Sequence, residues 1–86
     1  MPTLSRFYGI IIRMYFVQKE HNPPHVHVIY QDETFSITIK DLKIIDGETN
    51  PSPRALSMVK EWIELHRDEL LEMWETQVFH AIEPLK

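Results

Sequence analysis

Apolar side chains recur along this chain with two different periods, and the change from one to the other near residue 50 predicts its architecture. Residues 7–17, Phe-Tyr-Gly-Ile-Ile-Ile-Arg-Met-Tyr-Phe-Val, are apolar on both alternating faces except at Arg13. That is the pattern of a central strand, with Gly9 marking a bulge or bend near its start. His21-Asn22-Pro23-Pro24 interrupts it, because proline has no N–H to give a ladder and pushes its predecessor toward extended backbone. Residues 25–30 then alternate, with His25, His27 and Ile29 on one side and Val26, Val28 and Tyr30 on the other. Gln31-Asp32-Glu33 reads as a tight turn. It leads to a third strand over 34–40, with Phe35, Ile37 and Ile39 inward and Thr34, Ser36, Thr38 and Lys40 on a wet face. A short fourth strand is predicted over 42–45, ended by Asp46-Gly47.

Beyond Asn50-Pro51 the period becomes helical, with Ser52 as N-cap and Pro53 at the first helical position. Stepping about 100° per residue places Ala55, Leu56, Val59, Trp62, Ile63, His66, Leu70, Met73 and Trp74 on one stripe. Ser57, Glu61, Glu64, Asp68, Glu72 and Glu75 cover the opposite side. The phase holds from residue 53 to about 77, which predicts one long helix, bent or briefly interrupted near His66 and Asp68. Unbroken, it would be roughly 38 Å long, so its far end is expected to overhang the sheet or meet another subunit. Met58, Leu65 and Leu71 lie off the stripe and would supply apolar contacts there. The expected fold is α+β: a four-stranded, mainly antiparallel sheet followed by one long C-terminal helix packed on one face, in a single domain spanning residues 1–86.

Composition narrows the function classes. With 86 residues and 43% apolar content the chain suits one small core. Only about 60–65% of the unfolded surface of so short a chain is buried on folding, so a homodimer is expected to add stability. There is no cysteine, which excludes disulfides and thiol chemistry and suits a reducing compartment. The start lacks a basic segment followed by a long apolar stretch, and no apolar run nears the roughly 20 residues of a membrane span, so a soluble cytoplasmic protein is expected. Two glycines in all argue against a glycine-rich phosphate loop. The net charge of −4 lies wholly in residues 47–86, which carry eight acids against four Lys/Arg, whereas residues 1–46 carry five of each. That balance disfavours nucleic acid as a partner, although a neutral N-terminal half still permits a local positive patch.

Candidate chemistry concentrates in His21-Asn22-Pro23-Pro24-His25-Val26-His27-Val28. Imidazole exchanges protons near neutrality and ligates transition metals. Side chains two apart on a strand stand about 7 Å apart, so His25 and His27, with His21 reaching in from the turn, form a candidate site for zinc or another divalent transition metal. A metal-free alternative is acid–base cleavage of RNA by His25 and His27, with His66 as the helix residue best placed to join them. Arg13, Lys40 or Lys43 would steady the phosphate and Tyr30 would stack on a base. A structural reading stands beside both: His21 and His25 bracket the Asn-Pro-Pro bend by bonding backbone, His27 is a half-buried sheet residue, and His66 is a core histidine. Trp62 and Trp74 are assigned to packing, and the acidic helix face to solvent or a basic partner.

The opening Pro2-Thr3-Leu4-Ser5-Arg6-Phe7-Tyr8-Gly9-Ile10, the histidine segment, Glu61-Trp62-Ile63-Glu64-Leu65-His66 and Ile82-Glu83-Pro84-Leu85 together resemble the small prokaryotic domain-of-unknown-function family numbered 4160. The resemblance implies no established activity. It marks His21, Asn22, Pro23, Pro24, His25 and His27 as motif positions. It also implies a short protein often encoded beside another small family of unknown function, numbered 2442, in a two-gene module of toxin–antitoxin type. Alternating histidines also occur in nucleotide hydrolases of the histidine-triad family, but here the third place is Ile29. Two functions are therefore expected in competition. One is a binding or regulatory component of such a module, acting through its sheet edge or acidic helix on a small protein encoded nearby. The other is a histidine-dependent enzyme, either a ribonuclease-like toxin or a metal-dependent hydrolase.

Overall fold

A computed structural model describes residues 2–15 and 23–86. Five strands, β1 (Thr3–Phe7), β2 (Ile10–Arg13), β3 (His25–Tyr30), β4 (Glu33–Thr38) and β5 (Ile44–Gly47), are followed by two helices, α1 (Pro53–Leu65) and α2 (Arg67–Thr76). The strands form one sheet in chain order, each antiparallel to its neighbours. The α+β class is as the sequence predicts, but the sheet has five strands rather than four.

The extra strand comes from a turn inside what reads as one apolar run. Tyr8 and Gly9 both take positive φ, 50° and 81°, the geometry of a two-residue hairpin whose twist matches that of its strands. The expected strand over 7–17 is therefore divided between β1 and β2, and Gly9 turns the chain instead of bulging it. The end of that expected strand, 16–17, together with His21 and Asn22, lies outside the described residues. Gln31, with φ 55°, makes the predicted turn between β3 and β4. β5 begins two residues later than expected, because Leu42 adopts φ 57° and its N–H closes a turn on the Thr38 carbonyl at 3.1 Å.

Period-two alternation sends Ile10, Ile12, Val26, Val28, Phe35 and Ile37 to one side of the sheet, all essentially buried, and Leu4, at the register shift of β1, joins the same core. There they meet the helical stripe of Ala55, Val59, Trp62, Ile63, Leu70, Met73 and Trp74. Phe7 and Trp62 pack with ring centroids 5.9 Å apart. The opposite sheet face departs from expectation at β4: Ser36 and Thr38, read as wet, are only 3% and 4% exposed. Ser36 is hydrogen-bonded to its cross-strand neighbour His27 at 3.1 Å, and the Thr38 hydroxyl accepts the Lys43 N–H at 2.9 Å.

Pro53 opens α1 as predicted, but the Ser52 side chain makes no cap; its backbone N–H is taken instead by Glu33 Oε1 at 3.0 Å. The single long helix is divided at His66, whose φ of −121° and ψ of 20° leave helical geometry. The break falls within the stretch where an interruption was expected. Asp68 and Glu69 then occupy the first turn of α2, where carboxylates suit the positive end of the helix dipole. Arg67 Nε–H donates to the Ile39 carbonyl at 3.0 Å and ties the start of α2 to the end of β4. Because of the break, both helices lie against the one core and the expected overhang does not arise. Met58 and Leu71, expected to face a partner, pack against that core, leaving Leu65 exposed. Residues 77–86 form neither helix nor strand, but Ile82 N–H donates to Leu4 O at 2.7 Å and the Trp62 indole N–H to Glu83 O at 2.8 Å.

The two glycines separate two kinds of cost. A Cβ at Gly47, at φ +86°, would stand 2.3 Å from Thr34 O and 2.8 Å from Phe35 Cα, whereas one at Gly9 would meet only the Tyr30 ring at 3.7 Å. Gly9→Ala should cost about 1–2 kcal/mol for the left-handed backbone alone. Gly47→Ala should cost more, because the β4–β5 backbone must also move. Urea melts of the two variants measure the difference.

Candidate functional site

Registration of β3 between its neighbours builds a row across the sheet face opposite the main core. Arg13 on β2 pairs with His27 on β3, His27 with Ser36 on β4, and Ser36 with Asp46 on β5. Paired residues of adjacent antiparallel strands point the same way, so the four side chains form one line. His27 Nδ1 and Ser36 Oγ are hydrogen-bonded at 3.1 Å, and the His27 ring stacks on Tyr15 with centroids 4.0 Å apart. His25, two residues back on the same face, meets His27 edge-on at 5.1 Å.

The two sheet histidines have different environments. His25 is 8% exposed, and its Nδ1–H donates to the Pro23 carbonyl at 2.9 Å. A carbonyl only accepts, so this bond fixes the proton on Nδ1. The ring also packs at 5.0 Å against Trp74 of α2. His25 thus braces the Pro23-Pro24 bend, as the structural reading expects. His27 is half-buried, and its pKa is lowered, first by desolvation and then by the neighbouring His25, with Asp46 opposing the shift. It is therefore held toward the neutral form, which both donates and accepts hydrogen bonds.

Ser36, His27 and Asp46 do not form a nucleophilic triad. In that arrangement the histidine stands between hydroxyl and carboxylate, whereas here Ser36 stands between His27 and Asp46 and is almost wholly buried. His66 does not join the sheet pair through any of its contacts. Its ring lies 5.3 Å from Trp62, and its Nδ1 is 3.8 Å from Glu69 Oε1 at the helix break. From the helices it is Trp74 that packs on His25. Tyr30 packs against the core, away from His27, and Lys40 and Lys43 are exposed in the β4–β5 connection. Among the described residues, no group of three or more His, Asp and Glu is arranged to hold a metal ion. His21, the third candidate ligand beside His25 and His27, lies outside them.

The domain of unknown function (DUF4160) family matches the chain over residues 9–75. This chain belongs to that family. The family match contains the whole His27 row and both helices up to Glu75, leaving outside it β1 and the C-terminal segment that bonds to it. No curated protein and no solved structure matches the chain. Among the described residues, no helix is long and apolar enough to cross a membrane.

Tyr15, Ser36, Asp46 and Trp74 were not among the site residues expected from sequence. One of them was recoverable: the turn at Gln31 and Asp32 fixes Ser36 opposite His27, whereas Asp46 comes opposite Ser36 only through the register shift between Ser36 and Ile37. Tyr15 and Trp74 have no such signal, since ring stacking depends on geometry that alternation does not encode.

The lowered His27 pKa has a sign that can be tested. Below its ordinary value the unfolded state binds the proton more readily than the folded state, so this residue's contribution is complete above about pH 6.5 and is lost as pH falls below it. Urea midpoints of wild type and His27→Gln should therefore diverge between pH 8 and pH 5, with the wild type losing more stability on acidification. Ser36→Ala should cost about 1 kcal/mol at pH 8, the worth of one neutral hydrogen bond.

Proposed function

We propose that this protein is a binding or regulatory component of a two-gene, toxin–antitoxin-like module, and that it holds its small protein partner along the free edge of β5. The observation that carries this reading is the contrast between the two ends of the sheet. At the β1 end, the Leu4 carbonyl is taken by Ile82 of the same chain. At the β5 end no further strand follows among the described residues, Asp46 and Gly47 are exposed, and Ile45 is 46% exposed. A sheet edge presents unpaired N–H and C=O groups that an extended segment of another chain can complete.

The fixed role of His25 supports the same reading over the enzymatic one. Two-histidine proton transfer needs both rings to reach a substrate, and His25 is 8% exposed with Trp74 packed on its ring. Co-expression with the product of the adjacent gene should yield a complex that co-purifies. Ile45→Lys, on an exposed edge and so compatible with folding, should weaken that complex at least tenfold by calorimetry. A complex of unchanged affinity would refute the edge, and no complex at all would refute the module.

A further inference from the structure

The open sheet face has a second property that edge pairing does not use. Arg6 on β1 pairs with Ile11, and Ile11 with Ile29, one row along from Arg13 and His27. Ile10 and Ile12 are fully buried on the helix side, so Arg6, Ile11 and Arg13 point together to the other. Adjacent rows on one face are about 7 Å apart. Two guanidinium groups therefore stand beside a platform of two isoleucines and the stacked Tyr15–His27 pair.

Two observations mark this patch as a ligand surface. Arg13 Nε is shut off from solvent yet has no hydrogen-bond partner among the described residues, and an unpartnered, desolvated guanidinium N–H is costly. The acids of the helices, Glu61, Glu64, Asp68, Glu72 and Glu75, are exposed on the other side of the molecule. Apart from Asp46 at the β5 end of the His27 row, the acidic charge of the helices thus stands away from a face where cations and flat rings are interleaved. Guanidinium groups pair with phosphate oxygens, and aromatic or imidazole rings accept stacked bases without regard to sequence.

We infer that the sheet face around Arg6, Arg13, Tyr15 and His27 binds a short stretch of single-stranded RNA, with the arginines on phosphates and the ring pair against a base. Nucleic acid is favoured over an acidic peptide because a peptide would use the arginines and leave the ring pair idle. The site is separate from the β5 edge, so each stands or falls independently.

The test titrates the full chain with a fluorescent oligouridylate of eight nucleotides in low salt, with amide chemical shifts followed in parallel. Binding should be weak, with Kd of order 10–100 µM, and two phosphate contacts should give a slope of log K against log salt near −1.4. Arg6→Gln, at an exposed position that does not threaten folding, should weaken binding severalfold and reduce the slope by about 0.7. Tyr15→Leu should weaken binding about tenfold through loss of stacking. Shift changes should centre on Ile11, His27 and Ile29. Absence of binding at 1 mM oligonucleotide, binding indifferent to Arg6→Gln and Tyr15→Leu, shift changes confined to the helices, or preferential binding of oligoglutamate would each overturn the proposal.

Discussion

The register of β3 between β2 and β4 is the constraint on which the rest of the structure depends. Side chains on a strand alternate, so a slip of one residue would exchange Val26 and Val28 for His25 and His27 on the helix side. The valines are fully buried against the core, and the histidines stand on the opposite face, His25 with Trp74 of α2 packed on it and His27 half-buried. Burying two imidazoles in place of two valines would desolvate polar nitrogens without partners. The same register that completes the core therefore places His27 between Arg13 and Ser36.

Two features hold this register at the start of β3. The Pro24 carbonyl accepts the Ile39 N–H at 2.9 Å, while the Pro23 carbonyl accepts from the His25 ring. Proline cannot extend the ladder with its own nitrogen, but both carbonyls remain useful, and the bend spends them on β4 and on His25. Trp74 then packs on His25 from α2. A motif that reads as reactive is thus divided in use: His25 belongs to the scaffold, and His27 faces the open side of the sheet.

Much of the fold was legible because burial imposes strong periods. Each fully buried helix residue, from Ala55 to Trp74, sits on the stripe read from the sequence, and Pro53 begins the helix. The errors occurred where one residue's backbone decides the path. Tyr8 gives no warning that it will adopt positive φ, so a hairpin reads as a continuous strand. His66 keeps the helical phase while breaking the helix, because the two helices continue one stripe across the break. The wetness assigned to Ser36 and Thr38 was wrong for a different reason: polarity predicts a hydrogen-bonding need, and His27 meets that need for Ser36 and the Lys43 N–H for Thr38 without exposing them to water. Of the candidate site, sequence located His25 and His27 but not their unequal roles, which depend on which carbonyl and which ring each one meets.

The placement of His27 is tested most directly by proton–proton nuclear Overhauser effects in the free protein. Its ring protons should show contacts to the Tyr15 ring and to the Ser36 side chain, and Val26 and Val28 methyls should show contacts to Ile37 and Phe35. Contacts from the His27 ring to Val59 or Trp62 would place the imidazole on the helix side and contradict the register from which both the core and the open-face site are built.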